Sequence, residues 1–442
     1  MVIITRLRAR KVVKTAMIQE LKLLLKQRSV SLLLLLSLSI TWLSLWNGWH
    51  TIAHIHQQIS LATEDEKIRH AQQLSDFTSH GEIEAGEVGY YVFHHVYNEP
   101  DAWSFIALGN RLVTPTVQRI RLLGLQGQLY DGESHHPEFI ILGSFDYAFW
   151  LVFFAPLLCI TLMHDIKASE HQAKRLMLLN SLTPNATYFW TRRILIRWCL
   201  IVMTLLFPVY LFAIMQKLSF APLIRISVVT IVYTLFWTCI CLLTCTRRNA
   251  FNASSNAMLL ACIWLVLTII LPNIAQHWLH QRYPVQEGSQ VAIQHRQLVH
   301  QAWDLPKTDT LSPFYKLYPA WQNTPPVVGR FHWKWYFAFQ HMADVNLSVQ
   351  VQARENALLA RDYAISKLPL PSVWVQQTLE NSAKSNVQDL IRHRHHVLDF
   401  HSQLRHYLYP FLFKEKRFTS VDFLNMPKYH QLDSSTLNAS RH

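Results

Sequence analysis

Four groups of residues in this chain have types and spacings that could do chemistry. His393, His395 and His396, with His401 beyond them, offer neutral imidazoles at close helical intervals, a ligand type that transition metals favour. Arg394 sits inside that run and would repel a cation, and no cysteine and few acids join it. Packed or solvated histidines are therefore expected, and no metal is assigned. Cys239, Cys241 and Cys245 also resemble a ligand set. On a helix 241 and 245 share a face while 239 does not, and no second cluster exists, so small apolar packing is the expectation. Asp146 and Arg197 stand at the edges of apolar stretches. Deep in lipid such charges would mark a pathway; at an edge they reach the interface, which is the reading adopted.

The fourth group is the richest. Asp165 and Glu170 come first, where a helix N-terminus favours negative charge, and Lys174 and Arg175 follow. Leu176, Leu179 and Leu182 are spaced three apart, Met177 and Leu178 widen the apolar face, and Pro184 stands where a helix commonly stops. An apolar segment directly upstream would hold such a helix at a membrane. It could then dock in a cleft on a soluble partner, burying leucines while its charges set the register. It could equally be a connector lying on the lipid surface; the residues alone do not choose.

Other chemistries lack their residues. The chain has no G-x-x-x-x-G-K-[ST] phosphate loop, no G-x-S-x-G and no H-E-x-x-H. A non-enzyme without a cofactor is expected, and any ATP that drives it must be bound by another subunit.

The elements that would position these groups are apolar helices. Of 442 residues, 50% are hydrophobic and 16% charged, with a mean hydropathy of only +0.10, as when apolar spans are diluted by polar regions. Five stretches reach or approach the ~20 residues that cross a bilayer. They are 29–49, 145–164, 194–216, 224–246 and 255–276. The expected fold class is mainly α, a polytopic α-helical membrane protein with two large helical extracytoplasmic regions, 50–144 and 277–442. The first span reads as an uncleaved anchor, because its basic leader is long and no A-x-A-like site follows.

The net charge of +13 is topological. Residues 1–28 form a basic amphipathic segment holding Arg6, Arg8, Arg10, Lys11, Lys14, Lys22, Lys26 and Arg28 against Glu20 alone. Its part 12–28 suits a helix on the inner leaflet or an ordinary flank of the first span. With that end cytoplasmic, the loop 165–193 and the turn near Arg247 and Arg248 fall inside too, which is the positive-inside bias. Nucleic acid is not an expected partner; the lipid bilayer is. All six cysteines lie in or beside spans, so the outer regions use no disulfides. Within those regions, helices are expected over 54–78, 101–112, 331–367 and 372–409, the last halted by Pro410.

Several blocks of the chain resemble, in order, the permease subunit of ABC-2-type exporters, in the group that carries DUF3526. They are PTVQRIRLLGLQGQLYDGE (115–133), FDYAF (145–149), HDIKASEHQAKRLMLLNSLTP (164–184), LPLPSVWVQQTLENSA (368–383) and RHYLYPFLF (405–413). The family pattern after the second span is approximately S-A-E-R-E-x-G-T-L-x-L-L-L-S-x-P. Glu170, Leu176, Leu178, Leu179 and Ser181 match it, whereas Gln172 replaces an acid and Lys174-Arg175 replaces Gly-Thr. The resemblance implies a bacterial inner-membrane protein that pairs with an identical or paralogous permease subunit. It also implies that Glu170, Lys174, Arg175, Leu176, Leu178, Leu179 and Leu182 form a coupling helix for a cytoplasmic ABC ATPase. The family usually has six spans. No sixth precedes His442, so a tail on the outer side or a truncated or shifted frame is expected, ahead of the alternative that the last region is partly re-entrant. The competing reading is a membrane-anchored extracytoplasmic scaffold without transport activity.

Overall fold

The computed structural model describes residues 17–79, 84–112, 114–131, 145–182, 186–245, 252–327 and 329–429, with the backbone alone at Asn180 and Leu182. The basic residues from Arg6 to Lys14, the proline Pro184, and Arg247 and Arg248 lie outside them.

A short helix, α1 (17–25), leads into α2 (Arg28–Ser79), a single helix of 52 residues. The separate helix expected at 54–78 is the outer half of α2. No proline or glycine stands between Trp49 and Ser79 to end the run. The chain then forms α3 (Ala85–Tyr91) and a two-stranded antiparallel sheet, β1 (His94–Tyr97) with β2 (Val117–Ile120), pairing His94 with Ile120. In place of the helix expected over 101–112 there are two 3₁₀ turns, Ser104–Ile106 and Gly109–Leu112. Every residue from Trp103 to Leu108 is buried, and an amphipathic helix would bury only one face of such a run. Gly48 of α2 lets this loop approach: a Cβ there would stand 2.1 Å from the Phe105 carbonyl oxygen.

After α4 (Leu125–Tyr130) comes α5, which runs Tyr147–Phe149, a π turn Trp150–Phe154, then Ala155–Met163. Short α6 (Ala168–Gln172) and α7 (Leu176–Leu182) lead to α8 (Ala186–Met215) and α9 (Phe220–Cys245). Next, α10 runs Ala253–Leu265, a π turn Val266–Ile270, then Leu271–Arg282. The last polar region holds α11 (Gly288–Asp304), α12 (Lys307–Leu317), α13 (Trp333–Ser366), α14 (Pro371–Ala383), α15 (Val387–Phe413) and α16 (Ser420–Leu424).

Among the described residues five helices are long and apolar enough to cross a membrane, at Arg28–Ser79, Tyr147–Gln172, Ala186–Met215, Phe220–Cys245 and Ala253–Arg282. They coincide with the five expected spans, and the chain is a polytopic helical membrane protein. Polar side chains cross-link the bundle: Trp150 Nε1 donates to Thr41 (2.9 Å), and Tyr147 meets Thr230 (3.0 Å). Such bonds are favoured where lipid offers no competing partner. Cys159, Cys241 and Cys245 are buried and Cys239 is exposed, as the helical faces required, and all the cysteines are free.

Among the described residues there are two apolar cores. One lies within the bundle; the other joins α3, both strands, α4, α11 to α13, α15 and α16. The helix expected over 372–409 is two helices because it serves both cores. Val375, Leu379 and Ala383 of α14 pack into the bundle core, whereas Val397, Phe400 and Leu404 of α15 belong to the outer one. Lys384, at φ +51°, makes the turn between them. Pro410 does not end α15, which continues to Phe413.

Candidate docking surface and the outer clasp

The basic end of the bundle is braced by ion pairs. Glu20 of α1 binds Arg192 (3.0 Å) and Arg193 (3.1 Å) at the start of α8. Arg193 also reaches Glu170 of α6 (3.2 Å), whose other oxygen holds Arg175 (3.2 Å). Arg193 therefore ties α1, α6 and α8 into one unit, and its guanidinium lies over the Trp190 ring (5.8 Å). Arg197 pairs with Asp165 at 3.1 Å and donates to the Leu162 carbonyl. Arg197 is buried (8% exposed) and held by this pair, so it does not reach out to the interface as the sequence suggested.

The expected coupling helix is broken in two. The Lys174 N–H donates to the His171 carbonyl (3.0 Å) and the Arg175 N–H to the Glu170 carbonyl (2.9 Å), with Lys174 at φ +54°. This is a Schellman end to α6, whose left-handed position favours glycine. The resembled pattern has glycine at that place. Lys174 thus keeps the turn at a steric cost.

The break divides the leucines. Leu176 is half-buried against the bundle core and Leu179 is half-buried one turn on. Met177 is 86% exposed and Leu178 57% exposed. The Leu182 side chain lies outside the described residues. Lys174 and Arg175 are exposed beside this apolar pair, so the end presents a small greasy knob ringed by cations.

In the second apolar core, away from the bundle, reasoning from the sequence missed a buried polar clasp. The Asp344 carboxylate of α13 accepts the Leu125 N–H (2.8 Å) and the Gln126 N–H (3.0 Å), capping the start of α4. Arg405 of α15 reaches the same carboxylate at 2.5 Å, and His295 Nε2 of α11 lies 3.4 Å from it. Burial opposes the Asp344 charge, but the His295 contact and the Arg405 guanidinium outweigh it and hold the carboxyl well below the usual range. Burial, helped by Arg405, pushes the neighbouring His401 and His341 down to about 3, so both stay neutral. His401 Nε2 is 3.1 Å from the Arg121 carbonyl, and His341 bridges the Tyr318 (3.0 Å) and Tyr409 (2.9 Å) hydroxyls.

Two glycines make room for the clasp. A Cβ on Gly124 would lie 2.0 Å from the His295 ring, and one on Gly127 2.5 Å from it. Their spacing within GLQG was the available signal, but nothing local names His295 or Asp344 as the reason.

The remaining histidines of the 393–401 run do not converge. His395 meets Glu355 (3.0 Å), and His393 Nδ1 is 3.4 Å from the Tyr429 hydroxyl. Asp146 caps the start of α5, accepting from Phe149 N–H (2.8 Å), and also holds Leu108 N–H (2.9 Å). Among the described residues, metal-ligand geometry arises instead at Glu66, His70 and His94.

No curated protein and no solved structure matches this chain. One family model does, a domain of unknown function named DUF3526, over residues 288–431. The chain is thus similar to DUF3526 across the second polar region, α11 to α16, and the match leaves the membrane bundle outside it.

Proposed function

We propose that the protein is the membrane-spanning permease subunit of an ABC-2-type exporter and that a separate ATPase docks at the basic end of the bundle, taken as cytoplasmic. The observation that carries this reading is the exposed Met177–Leu178 knob on a unit braced by Glu20, Glu170 and Arg193. Isolated exposed residues need no explanation. An exposed apolar pair on an ion-paired mount, beside Lys174 and Arg175, has the makeup of a docking element.

The mechanism follows from the bracing. A push on α7 reaches α6 through one turn and α8 through Arg193. ATP-driven rearrangement of the partner would shift the bundle between two packings, provided the partner binds one of them better. The face for a second permease subunit, identical or paralogous, would come from the least covered spans. Only 11% of the apolar window of α10 is buried within the chain, against 61% for α5.

Co-purification with any ABC ATPase found encoded beside this gene tests the proposal. Leu178→Asp and Glu170→Lys should each abolish association while the protein still inserts. Unchanged association of both would sink the docking assignment, and the lack of any neighbouring ATPase would favour the scaffold reading. A reporter fused at His442 fixes the side of the tail.

A further inference from the structure

We propose that Glu66, His70 and His94 form a binding site for a divalent transition-metal ion, with Zn²⁺ the best fit, which clips the outer end of α2 to β1. Glu66 and His70 stand four apart on α2 and so share a face. The uninterrupted helix carries that face beyond the apolar stretch, to where β1 presents His94. Glu66 Oε1 lies 3.6 Å from His94 Nδ1 and 3.8 Å from His70 Nε2, and the three ligand atoms all fall within 4.8 Å of one another. Ligands around zinc sit ~3.4 Å apart, given bonds of ~2.1 Å, so small side-chain movements close the site.

A second observation points to a ligand. His94 is only 4% exposed, and its Nδ1 has no hydrogen-bond partner. Leaving a buried polar nitrogen unpaired is costly, and a metal bond would satisfy it. The surroundings fix the ligands in place. His94 packs edge-on to Phe400 (5.5 Å) and His70 to Phe423 (6.0 Å). The other Glu66 oxygen lies 3.7 Å from His95 Nδ1, which bonds the Ala62 carbonyl (2.8 Å).

His70 Nε2 now donates to the Phe93 carbonyl (2.9 Å); coordination through Nε2 gives up that bond and takes the other tautomer, with the ring proton on Nδ1. The Glu66 and His70 side chains are 18% and 20% exposed, so a fourth position opens to water. Two histidines, one carboxylate and one water form a ligand set that zinc adopts.

The test uses the full-length protein in detergent, stripped with a chelator and titrated with Zn²⁺ by calorimetry. One tight equivalent is expected. His94→Ala and His70→Gln should each weaken it beyond the ~100-fold that an outer-shell partner costs, and His395→Ala should leave it unchanged. Co²⁺ should give visible absorption bands that both ligand variants lose. If His94→Ala does not fold, the part-exposed His70→Gln and Glu66→Gln decide alone. The absence of a tight equivalent in the parent protein, or its survival in the ligand variants, overturns the site.

Discussion

Charge is handled in opposite ways at the two ends of this molecule. At the basic end the glutamates Glu20 and Glu170 hold arginines through side chains alone, with 13–19% exposure for Glu170, Glu20, Arg192 and Arg193. In the outer clasp Asp344 is 8% exposed and takes backbone donors as well as Arg405. Arg405 is itself 15% exposed, so what separates the two ends is the pair of α4 amides that the Asp344 carboxylate also holds. Breaking a buried pair costs about 3–5 kcal/mol because it leaves a charge uncompensated, and in the clasp it would free those amides as well.

The largest effects should fall on the clasp. Asp344→Ala leaves Arg405 and two α4 amides unpaired in the interior, and a loss of about 3–5 kcal/mol is expected, read as early proteolysis of the outer domain. Gly124→Ala should be comparably damaging, since its Cβ would overlap the His295 ring. Similar melting temperatures for both variants and the parent would erase the contrast.

Acid sharpens the comparison. The folded His401 and His341 titrate at about 3 against an ordinary 6.5, so below 6.5 the unfolded chain binds more protons and stability falls. Asp344, also depressed, stabilises above its ordinary 3.8 and loses that contribution as pH drops further. Outer-domain melting should decline steadily from pH 6.5 downward, and His401→Gln should flatten the upper part of that decline.

At the basic end stability should barely change while association does. Leu178→Asp should alter stability by no more than ~0.5 kcal/mol, as at most surface sites, yet remove the partner. A large fall in melting temperature would mean that the knob is structural. One change should be a gain: Lys174→Gly should relieve the left-handed turn by ~1 kcal/mol, measurable by thermal unfolding in detergent.

The spans were legible because crossing lipid demands one continuous apolar helix, a property that lies entirely within a short stretch. The pairing of 241 with 245 was legible for the same reason. The break at Lys174 was half-visible, since the resembled pattern has glycine there, but a lysine does not announce a left-handed turn. The division of α14 from α15 was not legible, because both read as helix and only the core each one fills separates them.

The sequence by itself determined five apolar helices, a basic end and the helical character of the second polar region, because helix periodicity and lipid solubility are local. Tertiary structure decided which charges are buried and what each of them holds. Asp344 lies 219 residues from Leu125, and Glu170 is 23 from Arg193. It also decided that Glu66 and His70 of a span-bearing helix meet His94 of a strand. Such groupings depend on how the two cores stack, and stacking is a property of the whole chain.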